Sequence, residues 1–345
     1  MILALESSCD ESAVALFDPA RGPAGEWVHS QVALHERHGG VVPDLAAREH
    51  LRHLPPLLAL AIAGAPDRGI TEIAVTRGPG LAACLALGVA AAKALAVAWR
   101  VPVTGVNHLR GHAWSPFLAI HATSPAGFPG ELPALLPHLG LIVSGGHTLL
   151  FTIGPDRAVA MVSSTRDDAA GEALDKGAKL LGLGYPGGPL IERCAAGGRI
   201  DAYAFPRGLP GRDDLDFSFS GLKTSLRYLL EKMPAAEVRA RQADLCASYQ
   251  EAVIGALAAK TQAALGRGGF RSLGLSGGVA ANRRLREALA AVAREHRVPL
   301  LAARPEHTGD NAAMIAFAAW MEPAVGAGAG GLGLGIEPGL ELTGR

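Results

Sequence analysis

One layout occurs twice in this chain, and it constrains the fold more than any other feature. Leu3–Phe17 reads LALESSCDESAVALF and Leu139–Ile153 reads LGLIVSGGHTLLFTI. Each is an apolar strand, a short polar tip and a second apolar strand. A third strand follows each time, at Val28–Leu34 and at Ala158–Val162. A repeated unit of this size predicts two related lobes, and 345 residues are enough to build both. About half of the residues are hydrophobic (49%) and only 5% are aromatic. The core is therefore built from Ala, Leu and Val, as suits Ala-rich helices on a sheet. The Pro-, Ala- and Gly-rich stretch His121–Pro137 reads as the linker between lobes. The expected organisation is a first lobe over 1–135, a second over 136–309, a helix over 310–325 that returns to the first lobe, and a flexible Gly-rich tail over 326–345.

Within the first lobe, NHLRGHAWS places His108 and His112 four residues apart after the strand-like Val101–Val106. On a helix these imidazoles share one face, a turn apart, and can address one cation whose third ligand comes from elsewhere. A zincin protease needs Glu directly after the first His; here Leu109 and Arg110 follow, so that chemistry lacks its base. Asp310, in HTGDN before an apolar helix, reads equally as a helix cap or as a ligand. Two strand–glycine turn–helix junctions, at Arg77–Gly80 and at Ser276–Gly278, offer backbone amides to an anion or nucleotide. Asp168 is expected to cap a helix over Asp167–Leu183 that carries Asp175. Pro43–Ala63 reads as a helix with Leu51, Leu54, Leu58 and Ile62 toward the core, kinked at Pro55-Pro56.

Formal charge is zero, so contact with nucleic acid has to be local or helped by a partner. The four cysteines are scattered without a CxxC pair, which argues against a zinc knuckle or a disulfide framework. The start, MILALESSCDES, lacks a basic opening and meets Glu6 at once, and so does not read as a signal peptide. Leu81–Ala98 is apolar enough to consider for a membrane, but it is mostly Ala, carries Lys93 and leads into Trp99-Arg100 and a strand. It reads as a buried helix, and the chain as a cytoplasmic protein without a membrane segment.

Several segments together resemble the tRNA N6-adenosine threonylcarbamoyltransferase family, called TsaD in bacteria and once classed as an O-sialoglycoprotein endopeptidase. They are ESSCDES, HGGVVPDLAAREH, RGPGL, HLRGH, LIVSGGHT, DDAAGEALDKGAKLLGLGYPGGP, DFSFSGLKTSL, SGGVAANRRLR and ARPEHTGDNAAMIA, in the family's order. The resemblance implies an α/β protein of the actin-like ATPase (ASKHA) superfold with two ribonuclease-H-like lobes. It implies transfer of threonylcarbamoyl from threonylcarbamoyl-AMP to N6 of the adenosine 3′ of the anticodon, in tRNAs reading codons that begin with A. Carried over by position, His108, His112 and Asp310 would hold one iron or zinc ion. Substrate contacts would fall on Ile142, Val143, Ser144, Gly145, Gly146, Asp175, Gly188 and Asn282. Asp10 and Glu11, in the acidic first-lobe turn, are the catalytic candidates. ATP or ADP with magnesium is a further implied ligand, and the accessory proteins TsaB and TsaE are implied partners. Two positions depart from the family: Arg110 stands where bacterial members often have Glu, and HTGDN replaces a CTDN-like segment. The competing readings are an ATPase or small-molecule kinase of the same superfold, which has no need of the histidines, a metallopeptidase, and a non-catalytic scaffold.

Overall fold

The computed structural model describes residues 1–65, 69–211, 213–323 and 331–344. In chain order the strands and helices are β1 Ile2–Glu6, β2 Glu11–Asp18, β3 Gly22–Ser30, α1 Val32–Glu36, α2 Pro43–Ala63, β4 Glu72–Gly78, α3 Ala82–Trp99, β5 Val103–Asn107, α4 His108–Thr123 and α5 Phe128–Leu135. Then follow β6 His138–Val143, β7 Thr148–Ile153, β8 Val159–Ser164, α6 Ala170–Leu180, α7 Gly187–Ala195, α8 Ser220–Lys232, α9 Ala235–Ala240, α10 Gln242–Gly266, β9 Ser272–Ser276, α11 Arg283–Glu295, β10 Leu300–Ala302 and α12 Ala312–Met321. The chain divides into two compact units, Met1–Ala134 with Ala303–Arg345, and Leu135–Ala302.

The first unit holds a five-stranded sheet in the order β3-β2-β1-β4-β5, and the second one in the order β10-β9-β6-β7-β8. In both, the first strand pairs antiparallel with the second and parallel with the fourth. The two sheets thus have one topology, which is what the repeated sequence layout specifies. Strands β1, β4 and β5 in the first sheet and β6 and β9 in the second are buried at nearly every position. Such continuous apolar strands require cover on both faces. In the first unit α2, α3 and α12 provide it, packing on β2, β4 and β1. In the second, Leu141, Leu150, Tyr249, Leu257 and Leu285 belong to one core.

Several local expectations are corrected. The third strand of the first unit is Gly22–Ser30 rather than Val28–Leu34, and Val32–Glu36 is helical. Helix α2 runs unbroken through Pro55 and Pro56. The carbonyls these prolines leave unpaired belong to Leu51 and Arg52, both exposed to water. Its buried stripe is Ala46, His50, Leu54 and Ala61, whereas Leu51 and Ile62 are 60% and 41% exposed. His50 fits that stripe because its ring bonds Ser12 Oγ at 2.7 Å and the Cys9 carbonyl at 2.9 Å. The expected linker contains α5, whose Phe128 and Leu132 are buried. Asp168 does not cap α6; it pairs with Lys176 at 2.6 Å, and the Ala170 amide donates to Thr148 Oγ1 instead.

Helix α3 is long and apolar enough to cross a membrane by composition. Here Leu85, Val89, Ala92 and Ala96 form its buried face, packed against the sheet.

The Gly-rich C-terminal stretch was expected to be flexible. Of it, residues 326–330 and 345 lie outside the described residues. Gly331–Gly344 packs on the first unit, with Leu334, Leu340 and Leu342 buried. Gly331 donates to the Val103 carbonyl, Glu337 to that of Arg77, and Gly80 to that of Pro338.

Candidate functional site

Strand β5 ends at Asn107, and α4 begins at once. The Asn107 side chain accepts from the Leu109 amide at 2.9 Å and so caps the helix, while its Nδ2 donates to the Glu341 carbonyl at 2.7 Å. This fixes the first turns of α4, where His108 and His112 are both buried. Their rings stand 4.8 Å apart and nearly perpendicular.

Asp310 reaches them from the far end of the sequence. The cap of α12 is Asn311, whose side chain accepts from the Met314 amide at 2.8 Å. Asp310 is thereby free of capping. Its Oδ1 lies 3.1 Å from His112 Nε2 and 3.4 Å from His108 Nε2. One ligand atom from each of the three falls within 4.8 Å of the others, a group able to hold a metal ion.

Glu6, at the end of β1, is the part that sequence reasoning missed. It is fully buried. Its Oε1 accepts from the Ser8 amide at 2.6 Å, and its Oε2 from Thr76 Oγ1 at 2.6 Å and His108 Nδ1 at 3.0 Å. Ser8 Oγ lies 3.3 Å from the same nitrogen. A carboxylate on Nδ1 fixes the ring and turns Nε2 toward Asp310, the arrangement that orients metal-bound histidines. The only sequence signal for Glu6 was a charged residue closing an apolar strand.

The electrostatics agree with a cation at this place. Burial opposes charge on Glu6 and Asp310, yet His108 outweighs it and holds both carboxyls below their usual range. Burial likewise opposes charge on His108, but Asp310 and Glu6 raise it well above the ordinary value. His112 is lowered, by burial first and by the His108 charge. A neutral His112 that donates from Nε2 to Asp310 leaves Nδ1 as a bare buried nitrogen, and this atom has no hydrogen-bond partner. Two carboxylates around one imidazolium and one neutral ring form a pocket of negative charge. The donor set, two imidazoles and a carboxylate with an outer carboxylate behind, fits iron or zinc.

Asp10 ends the turn after β1, and Glu11 opens β2. The Glu11 carboxyl is raised to about 9, by burial first, then by the charges of Asp10 and Asp310 and by its own hydrogen bond to Asp10. It accepts from Ser30 Oγ at 3.1 Å. Glu11 and Asp10 thus form one acidic pair beside the Asp310 carboxylate.

In the second unit, β6 and β9 are parallel neighbours with Ile142 opposite Ser276. Both end in glycine turns. Ile142 and Val143 are buried in β6. Ser144 closes the first turn, its amide donating to the His147 carbonyl and its Oγ accepting from the His147 amide. Gly145 and Gly146 are exposed at the tip, and a Cβ there would meet nothing. Gly171, in the first turn of α6, packs so closely on Ser144 that a Cβ would stand 2.5 Å from its carbonyl oxygen. Gly277 has φ +90°, and a Cβ on it would stand 2.4 Å from the Val143 carbonyl oxygen. Gly278 beside it is exposed and open.

Asp175 Oδ1 accepts from the Gly187 amide at 2.7 Å at the start of α7, next to Gly188. Asn282 caps α11, accepting from the Leu285 amide at 3.0 Å, and its Nδ2 donates to Gln250 Oε1 at 2.8 Å. Both ends of that side chain are engaged within the protein. Asp167, which the sequence did not single out, holds the start of α8 through Ser218, Ser220 and the Phe219 amide.

The turn Arg77–Gly80 does not offer its amides to an anion. Gly80 donates to Pro338, Leu81 to Ser8, and Arg77 pairs with Glu337. Arg110 is likewise structural: it grips Glu322 with Nη1 at 2.8 and 2.9 Å and donates from Nε to the Leu342 carbonyl. In HTGDN, His307 lies 3.6 Å from Glu26, whose other oxygen accepts from the Ala313 amide.

Two units with one ribonuclease-H-like topology define a protein of the actin-like ATPase superfold, and the first bears the His108–His112–Asp310 group. HypF from T. kodakarensis shares the fold, at TM-score 0.58 and 14% identity over 93% of this chain and 48% of that one. A family model described as tRNA N6-adenosine threonylcarbamoyltransferase matches residues 24–317. A protein of that name from Anaeromyxobacter sp. (strain Fw109-5) is 48% identical over 320 residues, 92% of each chain. Relatives of the same name from Pelobacter propionicus and Paraburkholderia xenovorans are 45% and 44% identical, over 92% of this chain and 90% and 91% of theirs. The chain belongs to the tRNA N6-adenosine threonylcarbamoyltransferase family.

Proposed function

We propose that this enzyme moves the threonylcarbamoyl group of threonylcarbamoyl-AMP onto N6 of the adenosine 3′ of the anticodon, in cytoplasmic tRNAs reading codons that begin with A. The observation that carries the reading is the convergence of His108, His112 and Asp310 backed by Glu6, in a chain of this family. Those three residues are the proposed ligands of one iron or zinc ion. Such an ion would act as a Lewis acid toward the carbonyl of the donor.

The donor is a mixed anhydride. The N6 amine attacks its carbonyl carbon, the bond to the phosphate oxygen breaks, AMP leaves, and the amine gives up one proton. The acidic pair Asp10 and Glu11 is the proposed acceptor. In the second unit, the open amides of Gly145 and Gly146 after Ile142, Val143 and Ser144 suit a phosphate. Asp175 and Gly188 are proposed for the rest of the adenylate. Asn282 shapes the neighbouring turn, because its own hydrogen bonds are already made. ATP or ADP with magnesium is a further proposed ligand of these turns. Zero formal charge supports tRNA being held with help from partners, proposed to be proteins of the TsaB and TsaE type.

The test is direct. The purified chain is incubated with those two accessory proteins, threonylcarbamoyl-AMP, ATP and unmodified tRNA, and the digested tRNA is examined by mass. Threonylcarbamoyladenosine is the expected product. A phosphorylated small molecule with unmodified tRNA would instead establish the kinase alternative.

A further inference from the structure

A second group of metal-ligating side chains lies in the first unit and shares no residue with the His108 group. It comprises His29 on β3, the edge strand, with Glu49 and His53 on α2. Glu49 and His53 are four apart and so share one helix face. His29 comes from the neighbouring strand, and its ring stacks on that of His53 with centroids 3.4 Å apart and planes within 12°. Glu49 Oε2 lies 3.1 Å from His53 Nε2. Its other oxygen accepts from Arg52 at 2.5 Å.

We propose that His29, Glu49 and His53 form a second cation site that takes zinc or a divalent ion of similar chemistry. Two imidazoles and one carboxylate are a zinc-type donor set, and the partial exposure of both histidines leaves room for water as a fourth ligand. The donor atoms already lie within 4.8 Å of one another. Bonds of about 2.1 Å in a tetrahedron set donors about 3.4 Å apart. The stacked rings aim their lone pairs in parallel, so binding requires one partly exposed ring to turn out of the stack toward the other and Glu49. Glu49 is buried, which makes a carboxylate there costly unless cations serve it. Arg52, whose side chain is 69% exposed, supplies only one such partner and is free to swing into water. An ion here would clip the sheet's edge strand to α2. The site does not depend on the transferase reading.

The test uses the full chain, stripped with a chelator and titrated with zinc against a chromophoric competitor. His29→Phe and His53→Phe keep an aromatic ring and remove a ligand. Glu49→Gln keeps the shape and a hydrogen bond. Each should bind one zinc equivalent fewer than the parent, with an unchanged far-ultraviolet circular dichroism spectrum. Asp310→Ala should lose a different equivalent and keep this one. If all three variants bind as many equivalents as the parent, the group is a stacked histidine pair with a helix ion pair, and the proposal fails. A variant that unfolds is replaced by Glu49→Gln as the deciding case, since it alters no ring.

Discussion

Glu6 sits where no water reaches it and holds three donors at once. Of the three proposed ligands it hydrogen-bonds only His108, through Nδ1, so its replacement tests an orienting effect together with the loss of one nearby charge. Glu6→Gln should weaken metal binding roughly 10- to 100-fold while leaving both histidines and Asp310 in place. Competition titration measures this, and affinity equal to the parent's would show that the outer carboxylate does not matter. Arg110 gives a second prediction. It and Glu322 have side chains only 8% exposed, so Arg110→Ala strands a buried carboxylate. The loss should be about 3–5 kcal/mol, read from denaturant unfolding; a loss below about 1 kcal/mol would place the pair effectively at the surface.

His138 supplies a pH dependence. Burial pushes its imidazole down to about 3, against about 6.5 in an unfolded chain. Below pH 6.5 the unfolded state takes a proton that the folded state refuses. Stability from this group is therefore intact above 6.5 and falls as the pH drops toward 3, by up to about 1.4 kcal/mol per unit. His138→Gln should unfold with a shallower pH slope between 6 and 4, by nearly one proton. Equal slopes in variant and parent would mean that His138 is protonated in the fold. At this scale the sequence showed His108 and His112 because helix spacing alone puts them together. Glu6 stayed hidden, because a carboxylate closing a strand reads as part of the polar tip until Thr76 and His108 arrive from sequence-distant elements.

At the scale of elements, the two glycine turns differ in what their glycines are for. Gly277 needs its left-handed φ and the space beside Val143, so Gly277→Ala should lower the melting temperature of the chain markedly. Gly278→Ala meets no atom and should melt with the parent, yet place a methyl on the exposed turn proposed for nucleotide. Calorimetry with and without ADP separates the two, and the account is wrong about these turns if Gly277→Ala is neutral. Strand order was legible here because the apolar–tip–apolar layout repeats. Helix faces were less so: on α2 the buried stripe includes His50, whose partners Ser12 and Cys9 lie about forty residues upstream. The C-terminal segment was misread for a related reason. Its glycines suggest mobility, but Leu334, Leu340 and Leu342 are buried, and Gly331, Glu337 and Glu341 bond to Val103, Arg77 and Asn107, partners that composition does not reveal.

At the scale of the molecule, a duplicated sheet gives each unit strand ends at which ligand-binding turns can stand, and the family relation names the chemistry. Neither the repeat nor the charge balance could say that Asp310 meets His112 across 198 residues; that follows from Asn311 taking over the cap. The central claim is that this meeting serves transfer to tRNA. The most direct measurement compares the initial rate of threonylcarbamoyladenosine formation by the parent with that of His112→Ala and Asp310→Ala, in the same reconstituted mixture and with matched folding by circular dichroism. The account predicts that both variants lose metal and product together, by at least about 100-fold in rate, of the order of 3 kcal/mol. Full transfer by a folded His112→Ala or Asp310→Ala enzyme would contradict it.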